Sequence, residues 1–101
     1  MALDLNLTKR GTECELKLVG KLDALTARGA QDAMLQLAGQ FEKIILDFTD
    51  LTYVSSAGLR ALKALRLETR QKDVTLLLKG VGKQVMEVFE VTGFAGLFKY
   101  I

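Results

Sequence analysis

Histidine is absent from this 101-residue chain, and cysteine occurs once, at Cys14. Without imidazole there is no Ser-His catalysis, no histidine-ligated zinc and no imidazole proton transfer. One thiol admits neither an internal disulfide nor a cysteine-cluster metal site. A surplus of charge is missing too. Fourteen Lys and Arg stand against 12 Asp and Glu, a net of +2, so nucleic acid has no whole-chain attraction and a charged partner must meet a local patch. No apolar run approaches the ~20 residues that span a bilayer. Met1-Ala2-Leu3-Asp4-Leu5 carries an acid where a signal peptide carries basic residues. These absences point to a cytoplasmic protein without cofactor or metal, neither inserted in a membrane nor bound to nucleic acid.

What is present describes a soluble globular chain, 50% hydrophobic and 26% charged. Its length suits one domain, residues 1–101, with a single core. Leu3, Leu5 and Leu7 alternate with polar residues, as do Cys14, Leu16 and Leu18. Both segments read as strands with one buried face, and Arg10-Gly11 suits the turn between them. Ile44 to Phe48 and Val74 to Leu78 are nearly continuous apolar runs, the pattern of parallel strands covered on both faces. Helical spacing marks residues 24–38, 57–71 and 82–92. Asp23 or Thr26 caps the first of these; Gly29 inside it costs roughly 1 kcal/mol relative to alanine and permits a close approach to the sheet, which the sequence alone does not show. Phe94, Leu97 and Phe98 tuck a last short turn onto the core. The order β-β-α-β-α-β-α predicts an α/β fold: a mostly parallel sheet of four to five strands, an antiparallel edge strand and three to four helices.

The stretch Asp50-Leu-Thr-Tyr-Val-Ser55-Ser56-Ala-Gly-Leu-Arg60 places two hydroxyls where a strand ends and a helix begins. The first N–H groups of a helix lack internal partners and carry partial positive charge, so an oxyanion, including a serine-linked phosphate, is stabilised there. Plain helix capping is the commoner use of a serine at such a place, and on the residues alone it is the favoured one. Val54 stands at the first glycine of a Gly-x-Ser-x-Gly elbow, and no histidine is available as base, so a hydrolase reading fails. Beyond the serines, Arg60, Lys63, Arg66 and Arg70 fall within about a third of the helix circumference. Gly58, Ala61, Leu62 and Leu65 form the core-facing sector, and Leu59 and Leu67 lie on or near the basic side. Asp47 and Asp50 suit a turn, as does Gly80-Val81-Gly82-Lys83, which lacks the third glycine of a dinucleotide fingerprint.

The segment Asp47-Phe-Thr-Asp-Leu-Thr-Tyr-Val-Ser-Ser-Ala-Gly-Leu59 resembles the signature of STAS domains, specifically bacterial anti-sigma factor antagonists. Gly20-Lys-Leu-Asp-Ala24 resembles that family's loop after the second strand, and Val85 to Phe98 its third helix and tail. The resemblance implies a non-enzymatic switch. The unmodified form binds an anti-sigma factor that is itself a serine kinase and frees a sigma factor; phosphorylation of Ser56 releases the kinase, and a serine phosphatase restores the hydroxyl. Ser55, where many members carry aspartate, is the competing acceptor. Asp23, Ser55, Ser56, Gly58, Leu59, Arg60 and Lys63 are the expected partner-binding residues. The rival implication is a STAS subunit of a stress-sensing or lipid-transport assembly, docking constitutively through the same surface. Oligomeric state is left open.

Overall fold

The computed structural model describes residues 3–101; Met1 and Ala2, at the start of the expected domain, lie outside the described residues. Alternating leucines build the hairpin expected from the pattern. Strand β1 (Leu3–Arg10) pairs antiparallel with β2 (Glu13–Leu22) without interruption from Leu3↔Gly20 to Arg10↔Glu13. Gly11 makes the turn possible at φ +60, a left-handed conformation that costs glycine little. The ten-residue β2 serves two parallel partners in succession. Its first half pairs with β3 (Lys43–Asp47); past a register shift at Gly20/Lys21 its end pairs with β4 (Leu51–Val54). Strands β5 (Thr75–Lys79) and β6 (Lys99–Tyr100) extend the sheet in parallel beyond β3.

The result is a six-stranded, mostly parallel sheet, ordered β1-β2-β3-β5-β6 with β4 on β2, and the antiparallel strand is at the edge. The count exceeds the four to five expected because β4 and β6 have four and two residues, too short to show a period.

Three helices, α1 (Ala27–Ala38), α2 (Ser56–Gln71) and α3 (Lys83–Thr92), bury their apolar stripes against one face of this sheet. Met34, Leu62, Leu65 and Phe89 join Leu16, Leu18, Ile44, Leu46 and Leu78 in one continuous core. A 3-10 turn at Ala95–Leu97 leads to Phe98, whose ring lies 5.5 Å from that of Phe89.

The expectation that β3 and β5 are covered on both faces is corrected here. Ile45 and Leu77 point away from the helical core, and Ile45 is nonetheless buried. Its cover is made of side chains: the ion pairs Lys43–Glu13 (3.8 Å), Lys79–Glu15 (3.3 Å) and Lys17–Asp50 (3.0 Å) line the same open face. Long lysine stems shield apolar surface there while their charges stay in water.

A Cβ built on Gly29 meets nothing within 4 Å, so the close approach that a glycine permits is not used there. At the other helix ends the glycines act as expected. Gly82 is the residue before α3, and Gly93 ends it in the left-handed conformation at φ +79.

Candidate functional site

Strand β4 delivers the chain to the serines. Ser55 is held in extended conformation by its N–H, which donates to the Leu22 carbonyl at 2.9 Å, as if continuing the β2–β4 ladder. From that position its Oγ accepts from the Gly58 N–H at 3.2 Å, and its carbonyl accepts from the Leu59 N–H at 2.8 Å. Ser55 is therefore the N-cap of α2, half-buried and committed to the helix start.

Ser56 is the first helical residue, and it is exposed. Its hydroxyl makes no side-chain hydrogen bond among the described residues. The two serines thus divide the two uses that the sequence leaves open for both. One satisfies the backbone; the other presents a free hydroxyl at the positive end of a 16-residue helix.

Gly58 and Leu59 do not stand on the surface. A Cβ on Gly58 would lie 2.6 Å from the Leu22 carbonyl oxygen and 2.9 Å from Leu22 Cγ, so glycine is what lets α2 start hard against the end of β2. Leu59 is buried in the core. Both are corrected from partner-binding to positioning roles: they hold Ser56 in place and offer a partner no surface.

Asp23 lies in a turn directly after β2. Its Oδ1 accepts from the Leu25 and Thr26 N–H groups at 3.0 and 3.1 Å. The Asp23 N–H donates back to Thr26 Oγ1 at 2.9 Å, and the Thr26 hydroxyl donates to the Lys21 carbonyl at 2.9 Å. This reciprocal arrangement delays α1 to Ala27, three residues later than the spacing predicts.

At the apex of the turn stands Leu25, 90% exposed. Sequence reasoning passed over it. The available signal was an apolar residue placed ahead of the buried helical stripe, inside a polar turn. Between this turn and the serine loop runs a groove of about 420 Å³, lined among others by Ala24, Arg28, Asp32, Ala57 and Arg60.

Along α2, Arg60, Lys63 and Arg70 are exposed, and Leu67 is half-exposed between them. Arg66 departs from the expected basic stripe. Its Nε donates to the Leu97 carbonyl at 2.9 Å, and the side chain is half-buried. It fastens the C-terminal turn to α2, which leaves Arg60 and Lys63 as the cations nearest Ser56 along the helix.

The loop preceding β4 is fixed from below. Asp47 is buried, and its Oδ1 accepts from the Thr49 amide at 2.9 Å and the Thr49 hydroxyl at 2.6 Å. Burial alone pushes its carboxyl up. The two Thr49 donors, with Lys79 and Lys17 nearby, outweigh that and hold it below the usual 3.8. Gly80 turns there at φ +67, and a Cβ on it would overlap Thr49 Oγ1. The Asp47 and Gly80 segments are thus turns, with Asp50 paired to Lys17. Burial raises the Cys14 thiol above its usual value, in keeping with a small core residue. Among the described residues no group of three or more His, Cys, Asp or Glu is placed to hold a metal ion. Nor, among them, is any helix long and apolar enough to cross a membrane.

The site is thus a free serine hydroxyl at a helix start, set on a one-sided α/β sheet between an ordered turn and a basic helix face. The chain belongs to the STAS domain family, whose model matches residues 4–101. It is 35% identical over 78 residues to BtrV of Bordetella bronchiseptica, named for the anti-sigma factor antagonists, covering 73% of this chain and 67% of that one. It is 28% identical over 102 residues to the anti-sigma-B factor antagonist of Listeria monocytogenes, covering 98% and 89% respectively. In fold it matches the crystal structure of an anti-sigma factor antagonist from Mycobacterium paratuberculosis with a TM-score of 0.85 at 17% identity, over 98% of this chain and 85% of the other.

Proposed function

We infer that this protein is an anti-sigma factor antagonist switched at Ser56. The observation that carries the reading is the division of labour between the serines: the Ser55 Oγ is spent on the helix cap, and the Ser56 Oγ is exposed and unspent. The names of the Bordetella and Listeria relatives support the same role.

In the unmodified state the partner, an anti-sigma factor serine kinase, docks over Ser56, the Asp23 turn and the Arg60 and Lys63 face. Leu25 supplies an apolar anchor already fixed by its turn, so little ordering entropy is lost on docking. Sigma factor is thereby freed. The kinase then transfers the γ-phosphoryl of ATP: a new Oγ–P bond forms on Ser56, the bond to ADP breaks, and the hydroxyl proton passes to the kinase. The chain is substrate and ligand throughout and contributes no catalytic group. A serine phosphatase resets it by hydrolysis.

The phosphate adds about −1.5 to −2 charges at the helix start, where the fold tolerates it. An acidic partner surface facing it does not. Like charges across an interface cost several kcal/mol, and each ~1.4 kcal/mol is tenfold in affinity.

The test is mass spectrometry after incubation with the kinase and ATP, paired with calorimetry. Wild type and Ser55→Ala take up one phosphate, Ser56→Ala takes up none, and Ser56→Asp loses binding by at least about tenfold. Charge reversal at Arg60 or Lys63 weakens binding in a salt-dependent way. Phosphate retained in Ser56→Ala sinks the site. Undiminished binding of Ser56→Asp sinks the switch in favour of constitutive docking.

A further inference from the structure

The edge strand β1 is unlike the rest of the sheet's periphery. It is eight residues long and, among the described residues, pairs on one side only, with β2, whereas β4 and β6 offer four and two residues. Edges of this length are usually blunted by charged side chains, a bulge, a proline or a cover, and of these β1 carries only the charges of Asp4, Lys9 and Arg10. The β1–β2 ladder has no break in register over its whole length, the chain contains no proline, and Asn6 to Arg10 are all exposed.

The side chains on this edge are complementary to themselves. Leu3, Leu5, Leu7 and Lys9 share the helix-side face with Leu18, Leu16 and Cys14, while Asp4, Asn6, Thr8 and Arg10 share the open face. Leu7 is 41% exposed and borders a groove of about 360 Å³ with Leu5, Leu37 and Gln40. Asp4 and Arg10 enter no ion pair among the described residues.

The geometry points to a second copy of this chain as the occupant of the edge, paired antiparallel through β1 with a two-fold axis at Leu7. An antiparallel pair keeps opposite residues on one face, so a two-fold register must match even with even and odd with odd. Centred on Leu7, the two leucines meet on the helix side with the stem of Lys9 beside Leu5, Asn6 faces Thr8, and Asp4 faces Arg10 twice over. Centring on Asn6 would instead set Asp4 against Thr8 and leave Arg10 without an acidic counterpart. The sheet then continues across both copies. Leu7 lies opposite Leu16, about 20 Å down β2 from Leu22, so the pairing leaves the serine loop uncovered. An edge-to-edge contact of this kind is small, which places the association in the weak, concentration-dependent class.

Sedimentation equilibrium up to roughly 1 mM tests the association, since weak dimers populate only at such concentrations. Wild type is expected to show a reversible monomer–dimer equilibrium. Leu7→Lys weakens it by about tenfold or more, by setting two charges opposite each other at the axis. Asp4→Arg and Arg10→Asp each weaken it, and the double exchange restores it, a rescue that general surface effects do not produce.

Register is read by oxidation. Leu7→Cys forms an intermolecular disulfide because directly opposite Cα atoms lie about 5 Å apart, whereas Asn6→Cys, offset by two residues, does not. Cys14 is buried and does not compete. A wild type that remains monomeric throughout overturns the proposal and leaves the edge to an extended segment of another protein. Faster cross-linking through Asn6→Cys, or no rescue in the double exchange, overturns it equally.

Discussion

Two glycines show how differently one residue type is used. Gly29 sits in α1 with open space where a Cβ would be, so Gly29→Ala should stabilise the protein by roughly 1 kcal/mol, through helix propensity and a less flexible unfolded chain. Gly58→Ala drives a methyl into the Leu22 carbonyl and should destabilise by about 1–3 kcal/mol. Urea denaturation of the two variants should move the midpoint in opposite directions. Asp47 supplies a pH-dependent counterpart. Its carboxyl is held below 3.8, so the ionised form is favoured in the folded state. That contribution is complete above the unfolded value and is lost as pH falls through the folded one. Asp47→Asn should therefore be less stable at neutral pH and lose less on acidification below about pH 4, as read from melting temperature against pH.

Elements with a clear period were legible before any coordinates. The alternating leucines of β1 and β2 and the three helical stripes appear within a few residues of their expected limits. The misses have physical causes. Strand β4 shows no alternation because Thr52 and Tyr53 face outward in succession between buried Leu51 and Val54. Helix α1 starts later than its spacing predicts because the Asp23–Thr26 hydrogen bonds consume three residues that spacing alone assigns to the helix. Arg66 leaves the basic stripe that its spacing predicts because its bond to Leu97 joins residues 31 apart in sequence, a contact no local period can show.

That bond makes the C-terminal segment depend on α2. Arg66→Ala should cost about 1–2 kcal/mol and speed hydrogen exchange at Phe98 to Tyr100 more than in the β2–β3 centre. Equal acceleration everywhere would mean that the tie has no local role. In the serine loop the residue types were legible, but the assignment of cap and free hydroxyl needed the backbone, since adjacent serines are interchangeable on paper.

At the level of the whole molecule, the α/β architecture separates what must stay fixed from what can be modified. The core lies between the sheet and helices, and the free hydroxyl is outside it. Stoichiometric phosphorylation at Ser56 should leave the circular dichroism spectrum unchanged and the melting temperature level or slightly raised. A drop of several degrees would indicate a switch that works by unfolding.

The Leu22 carbonyl, which accepts from the Ser55 amide and leaves no room for a Cβ at Gly58, closes β2 one residue before Asp23. It works as a shared rivet. The Asp23 turn and the serine loop are tied to one point, so in the docking proposed above a partner would meet them as one solid ledge.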